Sequence, residues 1–163
     1  MWNWTHFMKS SLIIILLLVS TSLIAQSDHK TAMDEHGNHA MGFDQQKTTH
    51  HFLLAKDGGT IEVRANSAKD EASIEQIRMH LPHITHSFAS GDFNDPMFVH
   101  DQTPPGVSVM KRLKKQIHYS YEAVDSGGRV VIKTTNSEAL KAVWAFLRFQ
   151  ITEHKTGDPV TAP

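Results

Sequence analysis

The chain has 163 residues, a formal charge of −1 and no cysteine, with twelve histidines and seven methionines. Without thiols, disulfides, iron–sulfur clusters, c-type haem attachment and thiol redox chemistry are excluded. The near balance of acids and bases, with no basic stripe, argues against a nucleic-acid surface. Any metal or proton chemistry therefore falls to His, Met, Asp and Glu.

Residues 1–25 read as an export signal. Lys9 supplies a positive charge, Leu12 to Val19 is an unbroken apolar run, and Ser20 to Ala25 is a small-residue exit. Cleavage after Ala25 would leave Gln26 first and a periplasmic or secreted protein. An uncleaved anchor is the rival reading, with Trp2 and Trp4 at the interface. The apolar run is shorter than the roughly 20 residues a spanning helix needs.

Residues 26–46 are polar, glycine-containing and aperiodic, the pattern of a disordered leader. It carries Met33, His36, His39 and Met41. Thioether with imidazole is the ligand set that suits copper, Cu(I) especially, where thiolate is missing. The plainer reading is a solubilising tether.

Residues 47–159 make one α+β domain, read as a tandem ββα repeat. In repeat one (47–92), the alternating run His50 to Ala55 leads through Lys56-Asp57-Gly58-Gly59 into a second run, Thr60 to Asn66. A helical pattern follows from about Lys69 to Ala89, with Ile74, Ile77, Leu81, Ile84 and Phe88 on one side. Pro82 is expected to bend or interrupt it. At about 100° per residue, His80 falls at the edge of that stripe, with His83 and His86 progressively further round.

A connecting loop, 93–115, comes next. Repeat two (116–159) has strands Gln116 to Val124 and Arg129 to Thr135 around Asp125-Ser126-Gly127-Gly128. Its helix, about Ser137 to His154, starts with Asn136-Ser137-Glu138 cap chemistry and has a stripe of Leu140, Val143, Trp144, Leu147 and Ile151. The expected fold is a four-stranded antiparallel sheet with both helices on one face. Phe52 and Leu54 should face Val63 and Ile61, and Tyr119, Tyr121 and Ala123 should face Thr134, Ile132 and Val130. His50 falls on that covered face, His51 and His118 on the open one. His154 ends the last helix, where a protonated imidazole suits the dipole.

The loop holds the sharpest candidate site. Met97 and His100 stand three apart, with Asp95 nearby and Asp101 able to orient the imidazole. His80 or His50 would complete a copper site, with zinc as second choice. No Gly-x-Ser-x-Gly, Gly-rich phosphate loop or His-Glu-x-x-His is present, so no nucleotide cofactor or familiar hydrolase is indicated.

Short stretches also carry a resemblance. These are Thr49-His50-His51-Phe52, Asp57-Gly58-Gly59, Ile77-Arg78-Met79-His80-Leu81, Gly91-Asp92-Phe93 and Pro96-Met97. They continue with His100-Asp101-Gln102-Thr103-Pro104-Pro105-Gly106-Val107 and Phe146-Leu147-Arg148-Phe149-Gln150-Ile151. From Met41-Gly42-Phe43-Asp44 to Thr156-Gly157-Asp158-Pro159 the chain resembles a family of small exported bacterial proteins of unknown role, some labelled aspartate carbamoyltransferase. That label has no support in the residues: the chain is too short for such an enzyme and has no Ser-Thr-Arg-Thr stretch. Trp144 stands where the family pattern has a His. The resemblance implies no mechanism.

Three functions are compatible with these residues. The first is an exported metal- or small-ligand-binding domain, copper favoured. The second is a periplasmic interaction module that uses the open sheet face or the Pro-rich loop to dock a protein. The third is a small hydrolase or lyase with a His100–Asp101 dyad.

Overall fold

The computed structural model describes residues 35–38 and 40–163. Residues 1–25, read above as an export signal, lie outside the described residues, as do Met33 and His39. Two hairpins form the sheet: β1 (Thr48–Ala55) with β2 (Gly58–Ala65), and β3 (His118–Val124) with β4 (Gly127–Lys133). Their order is β1-β2-β4-β3, all antiparallel. The helices are α1 (Glu71–Ser90), α2 (Asn94–His100), α3 (Val107–Arg112) and α4 (Ser137–His154).

The central ladder joins β2 to β4 and is symmetric about its middle. Gly58 pairs with Lys133 at one end, and Arg64 pairs with Gly127 at the other. This symmetry explains the paired glycines better than turn chemistry does. A Cβ on Gly58 would stand 1.9 Å from the Ile132 carbonyl oxygen, and one on Gly127 would stand 2.1 Å from that of Val63. Only glycine lets the strands close at both ends.

Alternation places Phe52, Ile61, Val63, Val130 and Ile132 on the covered face, all buried. The faces are as the alternation predicts. The register of both hairpins differs by two residues from the expected one, with Phe52 opposite Ile61 and Leu54 opposite Gly59 in the first, and Tyr119 opposite Ile132 and Tyr121 opposite Val130 in the second. Thr134 lies beyond the strand and bonds instead to the Gln116 carbonyl. The open face is polar, carrying Glu62 between Arg64 and Arg129.

Each long helix packs chiefly on the hairpin it does not follow in sequence. Helix α1 packs on β3 and β4 and, to a smaller extent, on β2, and α4 packs on β1 and β2. One side chain from each helix holds the turn beneath it. Arg78 donates to the carbonyls of Val124, Asp125 and Gly127. Trp144 Nε1 donates to those of Ala55 and Gly58, at 3.0 and 3.1 Å.

Asp70 caps α1 through the Ser73 N–H, and Asn136 caps α4 through those of Glu138 and Ala139. Pro82 neither ends nor interrupts α1. Leu81, Ile84 and Phe88 are buried on both sides of the lost hydrogen bond. Burying each gains about 1.5–3 kcal/mol, so together they outweigh the roughly 3 kcal/mol that an internal proline costs.

Residues 93–115, expected as a connecting loop, instead carry α2 and α3. They belong to the core: Phe93 and Met110 are both fully enclosed. Phe93 stacks on Phe88 at 4.4 Å and meets Phe146 edge-on. The leader also differs from its expected disorder where it is described. Residues 36–38, 40 and 41 are helical, and Phe43 is 3% exposed within the core. An aromatic anchor there outweighs the polar composition around it.

Candidate functional site

Six segments meet around a cavity of about 80 Å³ under the β1 end of the sheet. Strand β1 supplies His50 and Phe52 by alternation. Helix α4 supplies Phe146, Gln150 and His154, one turn apart along its buried stripe. Helix α1 supplies His80, α2 supplies Asp95 and Val99, and the residue from the leader is Met41. The remaining wall is aliphatic and aromatic.

The imidazoles form a connected group. His50 stacks on His154 with ring centroids 5.6 Å apart, and His154 meets His100 edge-on at 5.1 Å. Phe43 stands between His50 and His80, at 6.1 and 5.8 Å from their rings. His100 Nε2 donates to Gln150 Oε1 at 2.9 Å, which fixes its proton on that nitrogen.

Burial sets the charge state. It lowers His50 to about 4, helped by the neighbouring His80 and His51. It also lowers His80 to about 4, with His83 adding to the effect. His154 falls to about 3, again chiefly through burial and then through His50 and His100. All three are neutral imidazoles near pH 7, with a lone pair available on each ring. Burial raises the Asp95 carboxyl, and Asp92 adds to this against the opposing effect of His83.

Two polar atoms at the cavity wall stand out. His50 Nε2 and Gln150 Nε2 are both buried and neither has a hydrogen-bond partner. A buried polar group left so costs about 1–3 kcal/mol. Their shared location makes the cavity, rather than either residue, the feature that needs explaining.

The residues picked out from sequence divide between this cavity and other places. His50, His80, Asp95 and Met41 line it. His100 lies behind it, bonded to Gln150. Met97 is absent from the wall: its sulfur lies 4.0 Å from Lys111 Nζ, on the side facing α3. Asp101, expected to orient His100, is exposed at the left-handed C-cap of α2 (φ 50°), and the side chain bonded to His100 Nε2 is Gln150. His36 packs on Phe98 with centroids 4.8 Å apart. His83 and His86 are exposed, as helical periodicity predicts.

His154 and Gln150 were not among the predicted site residues. Their signal was faint but real. Gln150 is four residues before His154, and both continue the buried face of α4. The protonated, dipole-facing role that the helix end suggests for His154 does not hold, because burial against His50 and His100 keeps its ring neutral.

Among the described residues, no three His, Asp or Glu side chains are already grouped around one point as a metal cage. Among the same residues, no helix is long and apolar enough to cross a membrane. Comparisons with protein-family models, curated proteins and solved structures found no match.

Proposed function

We propose that the protein is an exported binding domain that takes a small ligand or metal ion into the cavity beside His50. The observation that carries this reading is the pair of unpartnered polar atoms, His50 Nε2 and Gln150 Nε2, in a wall that is otherwise mainly apolar. A ligand that meets both atoms recovers what their isolation costs. Apolar walls with a few convergent polar groups are the usual make-up of such sites.

Binding fits better than catalysis. The side chains lining the cavity include no hydroxyl or thiol that a histidine could activate. The export reading rests on the apolar run and small-residue exit of residues 1–25.

Native mass spectrometry of the protein purified from its own host tests the proposal. The folded wild type should carry a non-covalent mass that is released on denaturation. His50→Phe, which fills the space and removes the nitrogen, should lose it. A folded wild type with the bare polypeptide mass, identical in behaviour to the variant, would overturn the reading.

A further inference from the structure

The geometry points to a soft monovalent cation, Cu(I), as the ligand of this cavity, held by His50, His154 and the thioether of Met41. This deepens the binding reading above and rests on it. Met41 and the two histidines line the same space, from three different segments of the chain. The two rings lie 5.6 Å apart by centroid, about the span across which two imidazoles share one ion, and the Met41 sulfur accepts from Gln45 Nε2 at 3.7 Å, a weak bond the ion would replace. The nitrogen of His50 that has no partner is sealed from water, so a ligand displaces no hydrogen bond there.

The donor set selects the ion. Thioether and neutral imidazole are soft or intermediate donors, and they favour Cu(I) over hard cations. Zinc takes a tetrahedral shell of nitrogen, sulfur and carboxylate ligands. Among the described residues no three imidazoles or carboxylates are grouped to start such a shell. Cu(I) accepts fewer ligands, and the mostly apolar wall suits an ion of low charge.

The thioether suited to copper is thus Met41, not the Met97 that the sequence suggests. Met97 lies against Lys111, whose ammonium repels a cation. Met41 belonged to a leader expected to be loose, yet it forms part of the cavity wall because Phe43 anchors the segment beside it.

Anaerobic titration of the mature full-length chain with Cu(I), buffered by bicinchoninate, tests the assignment. Methionine ε-methyl and histidine ring resonances report the site. At one equivalent the Met41 methyl and the rings of His50 and His154 should shift, while Met97 and Met79 should not. The same concentration of Zn(II) should leave them in place. Met41→Leu, a volume-conserving change, should weaken Cu(I) binding by tenfold or more with the far-UV spectrum unchanged. A variant lacking Met33, His36 and His39 should still bind one Cu(I), which separates the cavity from the leader. An unshifted Met41 methyl, or Met41→Leu binding as tightly as wild type, would overturn the assignment. If the purified protein instead carries an organic mass, the cavity reading stands and copper is eliminated.

Discussion

The imidazole of His154 lies on that of His50, nearly parallel at 17° with centroids 5.6 Å apart. Neither ring can take a proton without placing a charge against its neighbour and inside an apolar wall. Their folded-state values, about 4 for His50 and about 3 for His154, lie below the 6.5 of the unfolded chain. The unfolded chain therefore binds protons first as the pH falls. The histidine contribution to stability is complete above about pH 6.5 and is lost on the way down to about pH 4. His50 alone is worth on the order of 3 kcal/mol across that window. Urea midpoints should be level above neutrality and drop steeply below about pH 6. In His154→Phe the drop should be shallower. A flat profile down to about pH 4 would contradict the buried, neutral state.

Trp144→Phe keeps the aromatic packing and removes the indole N–H that serves the Ala55 and Gly58 carbonyls. Trp144 is half-buried, so water recovers part of the loss, and the cost should be about 1–2 kcal/mol. Amide exchange should quicken in the β1–β2 turn and stay unchanged in the β3–β4 turn, which Arg78 holds. Uniform acceleration across both turns would count against the separate roles of these side chains.

Gly106→Ala should be far more damaging. Gly106 has φ 88°, and a Cβ there would stand 2.1 Å from the backbone oxygen of Ala142 on α4. The change combines strain of about 1–3 kcal/mol with a backbone clash that forces α3 off α4. We expect a loss above about 3 kcal/mol, or no folded protein at all. Denaturant midpoints decide it, with Gly157→Ala as the comparison, since nothing lies within 4 Å of a Cβ at that site.

Asp158 ties the C-terminal tail to the edge of the sheet. Its carboxylate accepts from the Phe52 N–H at 2.9 Å and from the Thr156 hydroxyl, and it faces His51 Nδ1 at 3.0 Å. Burial alone would raise its value, but the hydrogen bonds from Thr156, Phe52 and His51 outweigh burial and hold the carboxyl below its ordinary range. Asp158→Ala should cost about 1–3 kcal/mol, and truncation before Gly157 should cost the same. The difference from wild type should vanish in strong acid, where the carboxyl is protonated in both folded and unfolded chains. A full-size difference persisting there would sink the electrostatic account.

Periodicity made most of the sheet and both long helices legible. Phe52, Ile61, Val130 and Ile132 alternate, and Ile77, Leu81 and Ile84 recur at helical spacing. Residues 93–115 were not legible as structure. Their helices are too short to show a full apolar repeat, and the prolines at 96, 104 and 105 punctuate the pattern. The site was half legible. His50 was placed on the covered face by alternation, and His80 at a stripe edge by helical angle. The part played by His154 depends on which hairpin α4 covers, and local spacing carries no trace of that choice. Pairing Met97 with His100 followed sequence proximity, which a seven-residue helix converts into different neighbours.

The exchange of helices between hairpins has a consequence for how the chain comes together. Hairpin β1–β2 takes most of its cover from α4, the last long element made, and α1 touches β2 but has its main bed on β3 and β4. The first half is thus a hairpin and a helix that share only the smaller part of the surface each buries. Only with α4 in place is the apolar face of β1 and β2 fully covered.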